Sequence, residues 1–503
     1  MQAKQKILAV FLAAACTAAA SLTVLAATEH WNDASKSPAD TTATYLSDKT
    51  AWTSWVSNWD NTKVKYEQVA LTPGADETQM NFGWYSRINT AAIVKLSTTP
   101  NMANAVTFTG SCEPGTVLGG TQYYSSKVTA TGLKADTTYY YQANVNGVTK
   151  PAESFRTGNG DSFSMLLVGD PQIGASVGQT ASTDSSAQTA ELAARNDSFN
   201  WNKTLNSALA SHSDIDFILS AGDQINEYVK DGSAAKLQEQ EYEYAGFLSA
   251  KALRSLPIAT TIGNHDSLTT GYRNHFNNPN PFVEEQNPTK AGNGYYFSYG
   301  NALFVVLNSN NYNCADHKAL IEKAVKSDPD AKWRIVMFHQ DIYGTGLDHS
   351  DSDGIILRTQ LTPIFDSYDI DVVLQGHDHT YSRSYQLSGD GKEHASYDKS
   401  VDLDNAAVKS SFLTDNLCYN IVGTQQGTVT NPAGTVYFST NSSTGSKFYE
   451  LIPTQQNYIA ARSQTWKPSY SVLRVEGNTF SIDTYDAETG KCLDANYTIV
   501  KTR

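Results

Sequence analysis

Two kinds of hydrophobic patterning follow each other along the 503-residue chain. From Tyr66 apolar positions alternate with polar ones, as in Met80-Asn81-Phe82-Gly83-Trp84-Tyr85, in Ala92-Ile93-Val94-Lys95-Leu96, and over residues 127–130 and 139–145. Period-two alternation turns one face of a strand to a core and the other to water, and Gly, Pro, Asn and Thr punctuate these runs. Short strands at such spacing predict a small all-β sandwich over residues 61–157. Thr157-Gly158-Asn159-Gly160 reads as a linker. Beyond it the runs become compact and continuously apolar, at residues 164–168, 216–220, 257–262, 302–307, 334–338 and 371–374. Strands covered on both faces have this character. Residues 201–211 and 354–368 carry helical periodicity between them, so 161–503 is predicted to be an α/β unit of sheets flanked by helices. Residues 175–197, rich in Ser, Thr and Ala, read as an inserted surface loop, and 424–446 is similarly rich in Gly, Thr and Ser. Residues 471–475 and 479–484, joined through Glu476-Gly477-Asn478, read as a terminal hairpin.

The start of the chain bears on location. Lys4 and Lys6 precede an uncharged, Ala- and Leu-rich run over 7–27, with small residues around Ala26 and polar sequence from Thr28. This is the layout of a secretory signal over residues 1–26. The run is nearly long enough to span a bilayer, but its weak, alanine-rich character favours cleavage. The reading is therefore a secreted, extracellular protein with no stable membrane anchor after cleavage. Residues 27–60 form a polar N-terminal extension with scattered tryptophans, either a helix or an arm packed on the neighbouring domain.

Removing the signal leaves Cys112, Cys314, Cys418 and Cys492, none in a Cys-x-x-Cys pair. This argues against a zinc ribbon, while two disulfides and buried free thiols both remain open. The formal charge is −14, and loss of Lys4 and Lys6 takes it to about −16. Such a chain repels polyanions, which argues against nucleic acid as the main partner. An anionic substrate needs local positive charge, and bound metal ions can supply it.

Five of the compact runs end in metal-ligand chemistry. Gly169-Asp170-Pro171-Gln172 follows the first, Gly222-Asp223-Gln224 the second, and Gly263-Asn264-His265-Asp266 the third. His339 follows the fifth, and Gly376-His377-Asp378-His379 the sixth; the fourth ends in Asn308 without an obvious ligand. A Gly-Asp turn or a lone histidine is usually structural. Five together, at the strand ends where α/β sheets collect functional groups, point to one metal site. Carboxylates and imidazoles suit Mn, Fe and Zn. Two ions about 3.5–4 Å apart can share a carboxylate and hold a hydroxide that attacks phosphorus.

These residues resemble the calcineurin-like metallophosphoesterase superfamily, with motifs D-x-H, G-D, G-N-H-[DE], H and G-H-x-H. The sandwich-plus-catalytic arrangement looks most like purple acid phosphatases. Leu133 to Tyr139 is similar to the tyrosine-corner segment of fibronectin type III domains. The resemblance implies a four-layer sandwich of sheets and helices, behind a fibronectin type III-like domain. It further implies two divalent ions (Fe, Mn or Zn) and hydrolysis of a small phosphorylated substrate. By motif position Asp223 would bridge the ions, Asp170 and His379 would hold the first, and Asn264, His339 and His377 the second. His265 becomes the catalytic histidine, and His349, ten positions after His339, falls in a loop that contacts phosphate. His30, His212, His275, His317 and His394 lie outside every motif. Two positions depart from the pattern. Gln172 stands where the superfamily has histidine, and Asn226 where purple acid phosphatases have an iron-binding tyrosine. Gln172 can donate its amide oxygen to the first ion, but the more neutral shell argues against a purple ferric centre. Three functions stay open: a phosphomonoesterase, a phosphodiesterase for nucleotides, glycerophosphodiesters or wall polymers, and a surface-binding protein with a degenerate metal site. Oligomeric state is unknown from sequence.

Overall fold

The computed structural model describes residues 49–160, 162–179, 188–283, 288–347, 349–350, 353–394 and 405–502. The expected signal and most of the N-terminal extension lie outside them. Of that extension, Lys49–Thr62 is a helix. It packs its tryptophans on the α/β unit: Trp52 meets the Phe199 ring edge-on, and Trp55 Nε1 donates to the Arg195 carbonyl at 2.8 Å.

Alternation in the next segment does build a sandwich. Ala70–Pro73, Met80–Ser86 and Thr121–Ala130 pair antiparallel in one layer, and Ala92–Ser97, Thr138–Val145 and Glu153–Arg156 in the other. Val106–Leu118 serves both layers, pairing with Ala92–Ser97 through its first half and with Thr121–Ala130 through its second. Phe82, Trp84, Val94, Tyr141 and Phe155 fill the space between the layers. Tyr139 is buried beside Leu133, and its hydroxyl accepts the Lys134 backbone N–H at 2.9 Å.

Two seven-stranded sheets form most of the rest, beside a two-stranded pair of Gln386–Gly389 and Tyr419–Gly423. One runs Ile258–Thr260, Phe217–Ser220, Ser162–Val168, Ser469–Glu476, Thr479–Asp486, Cys492–Val500, Thr428–Thr430. The other runs Tyr295–Tyr299, Ala302–Val306, Trp333–Met337, Val372–Gln375, Val436–Ser439, Tyr381–Ser384, Ile459–Ser463. The strands that lead to the motifs run parallel to one another within each sheet. Successive side chains of a strand point to opposite faces, and the compact runs use both. Phe163, Met165 and Leu167 enter a core shared with Phe304, Ile335 and Leu374 of the facing sheet. Leu166 and Val168 instead meet Trp201, Leu205 and Phe247 of the helices Ala190–Ser211 and Ala234–Leu248. On the far side Leu303, Val336 and Val373 pack with Leu320, Leu357 and Leu361 of the helices Cys314–Ser327 and Asp353–Ser367. The order helix, sheet, sheet, helix is the predicted four-layer arrangement.

Several expectations need correction. The segment read as a surface loop over 175–197 turns into helix at Ala190, capped by the Thr189 side chain, and residues 171–176 are buried. The small-residue stretch 424–446 contains Val436–Ser439, a fully buried strand paired on both sides. The C-terminal hairpin forms as read, Ser469–Glu476 pairing antiparallel with Thr479–Asp486, and its first strand also pairs with Ser162–Val168. All four described cysteines are free thiols. Among the described residues no helix is long and apolar enough to cross a membrane.

Candidate metal centre

Each of the five motif-bearing runs delivers its polar residues to the same place. The loops that do so are sharply turned. Asp170, Gln172, Asp223, His377 and His379 all have φ between 35° and 70°. Left-handed backbone costs a non-glycine residue on the order of 1–3 kcal/mol and persists only where surroundings enforce it. Glycines make room for the turns: a Cβ on Gly263 would strike the Asp223 carboxylate, and one on Gly222 the His339 ring.

His339 Nε2 is the focus. Asn264 Oδ1 lies 2.8 Å from it, His377 Nδ1 3.0 Å and Asp223 Oδ2 3.4 Å. The other ring nitrogen, Nδ1, stands 3.0 Å from the Ala221 carbonyl, which fixes the proton there. Two ring nitrogens, an amide oxygen and a carboxylate therefore converge on one buried point. Asp223, His339 and His377 each offer an atom within 4.8 Å of the others. A cation satisfies such a set, and its donors are of the type that Mn, Fe and Zn accept.

A second group adjoins the first. His379 Nε2 is 3.5 Å from Asp170 Oδ1, and its Nδ1 is held by the Lys447 carbonyl at 2.7 Å. Asp170 takes the His377 backbone N–H at 3.0 Å on both oxygens. Gln172 Nε2 lies 2.8 Å from His265 Nε2 and 3.4 Å from Asn226 Oδ1, so the two departures from the parent pattern touch each other. Gln172 Oε1 is buried without a hydrogen-bond partner, an orphan that suits a ligand role toward the first ion.

Electrostatics carry the same signature. Burial pushes Asp170 up to about 8, with Asp223 adding to the rise. Burial also opposes ionisation of Asp223, yet the charges of His339 and His265 hold it well below the usual carboxylate range. His339 is pulled down by burial but raised overall to about 9 by Asp223 and Asp170. Carboxylates this deep call for compensating positive charge.

The remaining predicted residues are also brought in. His265 directs Nδ1 to the Asn226 carbonyl, and its Nε2 lies 3.9 Å from Asp223 Oδ2. The His349 ring stands 3.7 Å from that of His377 and 4.9 Å from that of Tyr449. The histidines outside the motifs are otherwise engaged: His275 with Glu241, His317 with the Asn311 carbonyl, His394 with Asp390. His212 caps a helix, and His30 lies outside the described residues.

Sequence reasoning missed the residues that hold this set in place. The Tyr228 hydroxyl accepts the Asn264 side-chain N–H, and its ring lies 3.9 Å from that of His265. Asp266 accepts from the Gly263 and Gln224 backbones and from the Tyr244 hydroxyl. Asp378 accepts from the Thr345 and Gly346 backbones, pinning the loop that carries His349. Asp197 takes the N–H groups of Gly174 and Ser176, and Glu243 those of Asn226 and Glu227. Asp266 and Asp378 sit inside motifs and could have been suspected; nothing local marks the other three.

Residues 163–381 match the Calcineurin-like phosphoesterase family, and residues 66–157 match the Purple acid Phosphatase, N-terminal domain family. The first stretch contains every motif residue from Asp170 to His379, and the second spans the sandwich. Purple acid phosphatase PPD1 from yellow lupin (Lupinus luteus) seeds superimposes with a TM-score of 0.56 at 14% identity, covering 86% of this chain and 74% of that one. At that identity the likeness shows the fold. An uncharacterized protein of Mycobacterium tuberculosis, in strains H37Rv and CDC 1551, is 23% identical over 164 residues. The match covers 28% of this phosphoesterase-fold chain and 30% of the mycobacterial one.

Proposed function

We propose that the protein is a secreted phosphoesterase that hydrolyses phosphate monoesters at a dinuclear metal site. The observation that carries this reading is the convergence of Asn264, His377 and Asp223 on His339 Nε2, a buried meeting of metal-ligand atom types. Asp170, His379 and Gln172 would hold the first ion, Asn264, His339 and His377 the second, and Asp223 would serve both. When bound, two divalent ions supply a nucleophile from water at neutral pH and neutralise charge on the phosphoryl group.

The side chains do the rest. Asp223 is kept ionised by the imidazoles around it and so remains available to both ions. His265 has Nδ1 engaged by the Asn226 carbonyl and Nε2 beside the Gln172 amide at 2.8 Å, and Nε2 would exchange that contact for the leaving oxygen. His349 lines the cavity beside His377, where it can meet a phosphoryl oxygen. Residues 61–157 and 161–503 form the two domains of this reading, and residues 1–26 its export signal.

The test is hydrolysis of 4-nitrophenyl phosphate and of bis(4-nitrophenyl) phosphate by the purified protein after loading with Mn, Zn or Fe. Metal analysis accompanies it, with Asp223→Ala alongside. Two ions per chain and faster turnover of the monoester are expected, with a loss of at least about a thousandfold in Asp223→Ala. Faster turnover of the diester would transfer the assignment to phosphodiesters. Neither activity nor retained metal would leave a binding protein.

A further inference from the structure

The cavity beside the candidate metal centre has a volume of about 650 Å³. Pockets of roughly 300–1,000 Å³ take whole small molecules, so the space extends well past the phosphoryl group. Its wall includes Asn264, His349 and His377 from the site itself, and then Tyr228, Lys230 and Lys290. The two lysines come from separate segments of the chain and are exposed. Among the described residues neither forms a salt bridge, and no Asp or Glu lines the cavity. In a chain of net charge −14, two ammonium groups with no carboxylate partner among the described residues make a local field of opposite sign at one mouth.

Their position says which end of a substrate they would meet. Lys230 Nζ lies 4.7 Å from the Tyr228 ring centroid, and that ring lies 3.9 Å from the His265 ring. One ammonium group is thus held a single ring beyond the histidine placed at the leaving oxygen. The phosphoryl group undergoing attack is already served by the metal ligands. Positive charge on the leaving-group side, outside that reach, is matched by a second anion on the alcohol portion of the ester.

We propose that the cavity selects phosphate esters whose leaving group carries a second anionic group, such as a second phosphate, and that Lys230 and Lys290 bind it. The inference rests on the phosphoesterase reading for which end of the ester is cleaved. Binding of the second anion by the lysines can be measured independently of turnover.

Two readouts on the metal-loaded, full-length protein test it. The first is kcat/KM for 1,3-propanediol bisphosphate against 1,3-propanediol monophosphate. The second is calorimetric affinity for propane-1,3-bisphosphonate against propylphosphonate, which cannot be hydrolysed. The wild-type protein is expected to favour the doubly charged member of each pair by about tenfold, the contribution of one charge-assisted contact. The preference should shrink as salt is raised. In the Lys230→Met, Lys290→Met double variant the ratio should fall close to one, with thermal unfolding verifying that the variant is folded. Equal treatment of both members by the wild type, or a preference that survives in the variant, would overturn the proposal. Failure to hydrolyse either ester, with the bisphosphonate preference intact and lost in the variant, would remove the phosphoesterase reading and leave the anion site standing.

Discussion

Asn264 can serve a metal only through its oxygen, and an amide presents oxygen or nitrogen with nearly equal ease. Tyr228 resolves the choice here: its hydroxyl accepts the Asn264 N–H, which turns Oδ1 toward His339. Groups of this kind behind a ligand typically change metal affinity by about 10–100-fold when removed. Tyr228→Phe is therefore expected to weaken the second ion about tenfold while leaving the first in place. A calorimetric Mn or Zn titration would show one of two binding steps moving. A single shift common to both steps would assign Tyr228 a general structural role instead. Asp223, Asn264, His339 and His377 could be found in the sequence because each combines a ligand-type side chain with a preceding apolar strand. Tyr228 could not, since its relation to Asn264 exists only after two loops have met.

Elements carry the next level of support. The helix Ala190–Ser211 buries Asn196, Asp197, Ser198 and Asn200, and Ala234–Leu248 buries Gln240, Glu241 and Glu243. Polar residues on the inner face interrupt the apolar stripe that identifies an amphipathic helix. The second of these helices therefore escapes prediction, and the first reads as a loop over its opening turns. The interruptions hold the loops of the metal centre, as Asp197 does for Gly174 and Ser176. Burial pushes the Asp197 carboxyl from 3.8 up to about 7, against the pull of the donors that Ser176 and Gly174 supply. The folded state then binds this proton more tightly than the unfolded state does. Its stabilising contribution is complete below about pH 4 and is lost as pH rises through about 7. Asp197→Asn keeps an oxygen for the same N–H groups but cannot ionise. Relative to the wild type, the variant should gain stability steadily between about pH 4 and 7, by a few kcal/mol in all, and level off above. Thermal unfolding at several pH values would check it; parallel curves for the two proteins would show that Asp197 does not ionise in this range.

At the scale of the whole molecule, the sandwich and the catalytic unit meet through buried polar contacts. The Tyr85 hydroxyl donates to Glu241 Oε1 at 2.9 Å, and His275 Nε2 lies 2.8 Å from Glu241 Oε2. Ser125 and Thr72 reach the Asn274 and Asn277 carbonyls at 2.8 and 2.6 Å. Tyr85→Phe should leave a buried carboxylate short of a donor, at a cost of about 1.5–3 kcal/mol. Denaturant unfolding would measure it, and a change below about 0.5 kcal/mol would mean that water or His275 replaces the phenol. The order of an all-β segment and an α/β unit was legible because it is written in local periodicity, whereas the four layers followed from the motifs and the family they resemble. The pairing of Ser469–Glu476 with Ser162–Val168 was not, because hydrophobic period reports which face of a strand is covered and never which strand lies beside it.

That pairing has a consequence for biosynthesis. The strand that aims Asp170 has Phe217–Ser220 on one flank, but its other flank is filled only by a segment translated long after it. While the ribosome is still at work, a hydrophobic edge stands open, and loop closure over so long a stretch is slow. The catalytic half therefore cannot lock into shape ahead of the rest. It becomes competent only once that late segment has emerged, and until then the nascent polypeptide stays pliable, as the export proposed for it requires.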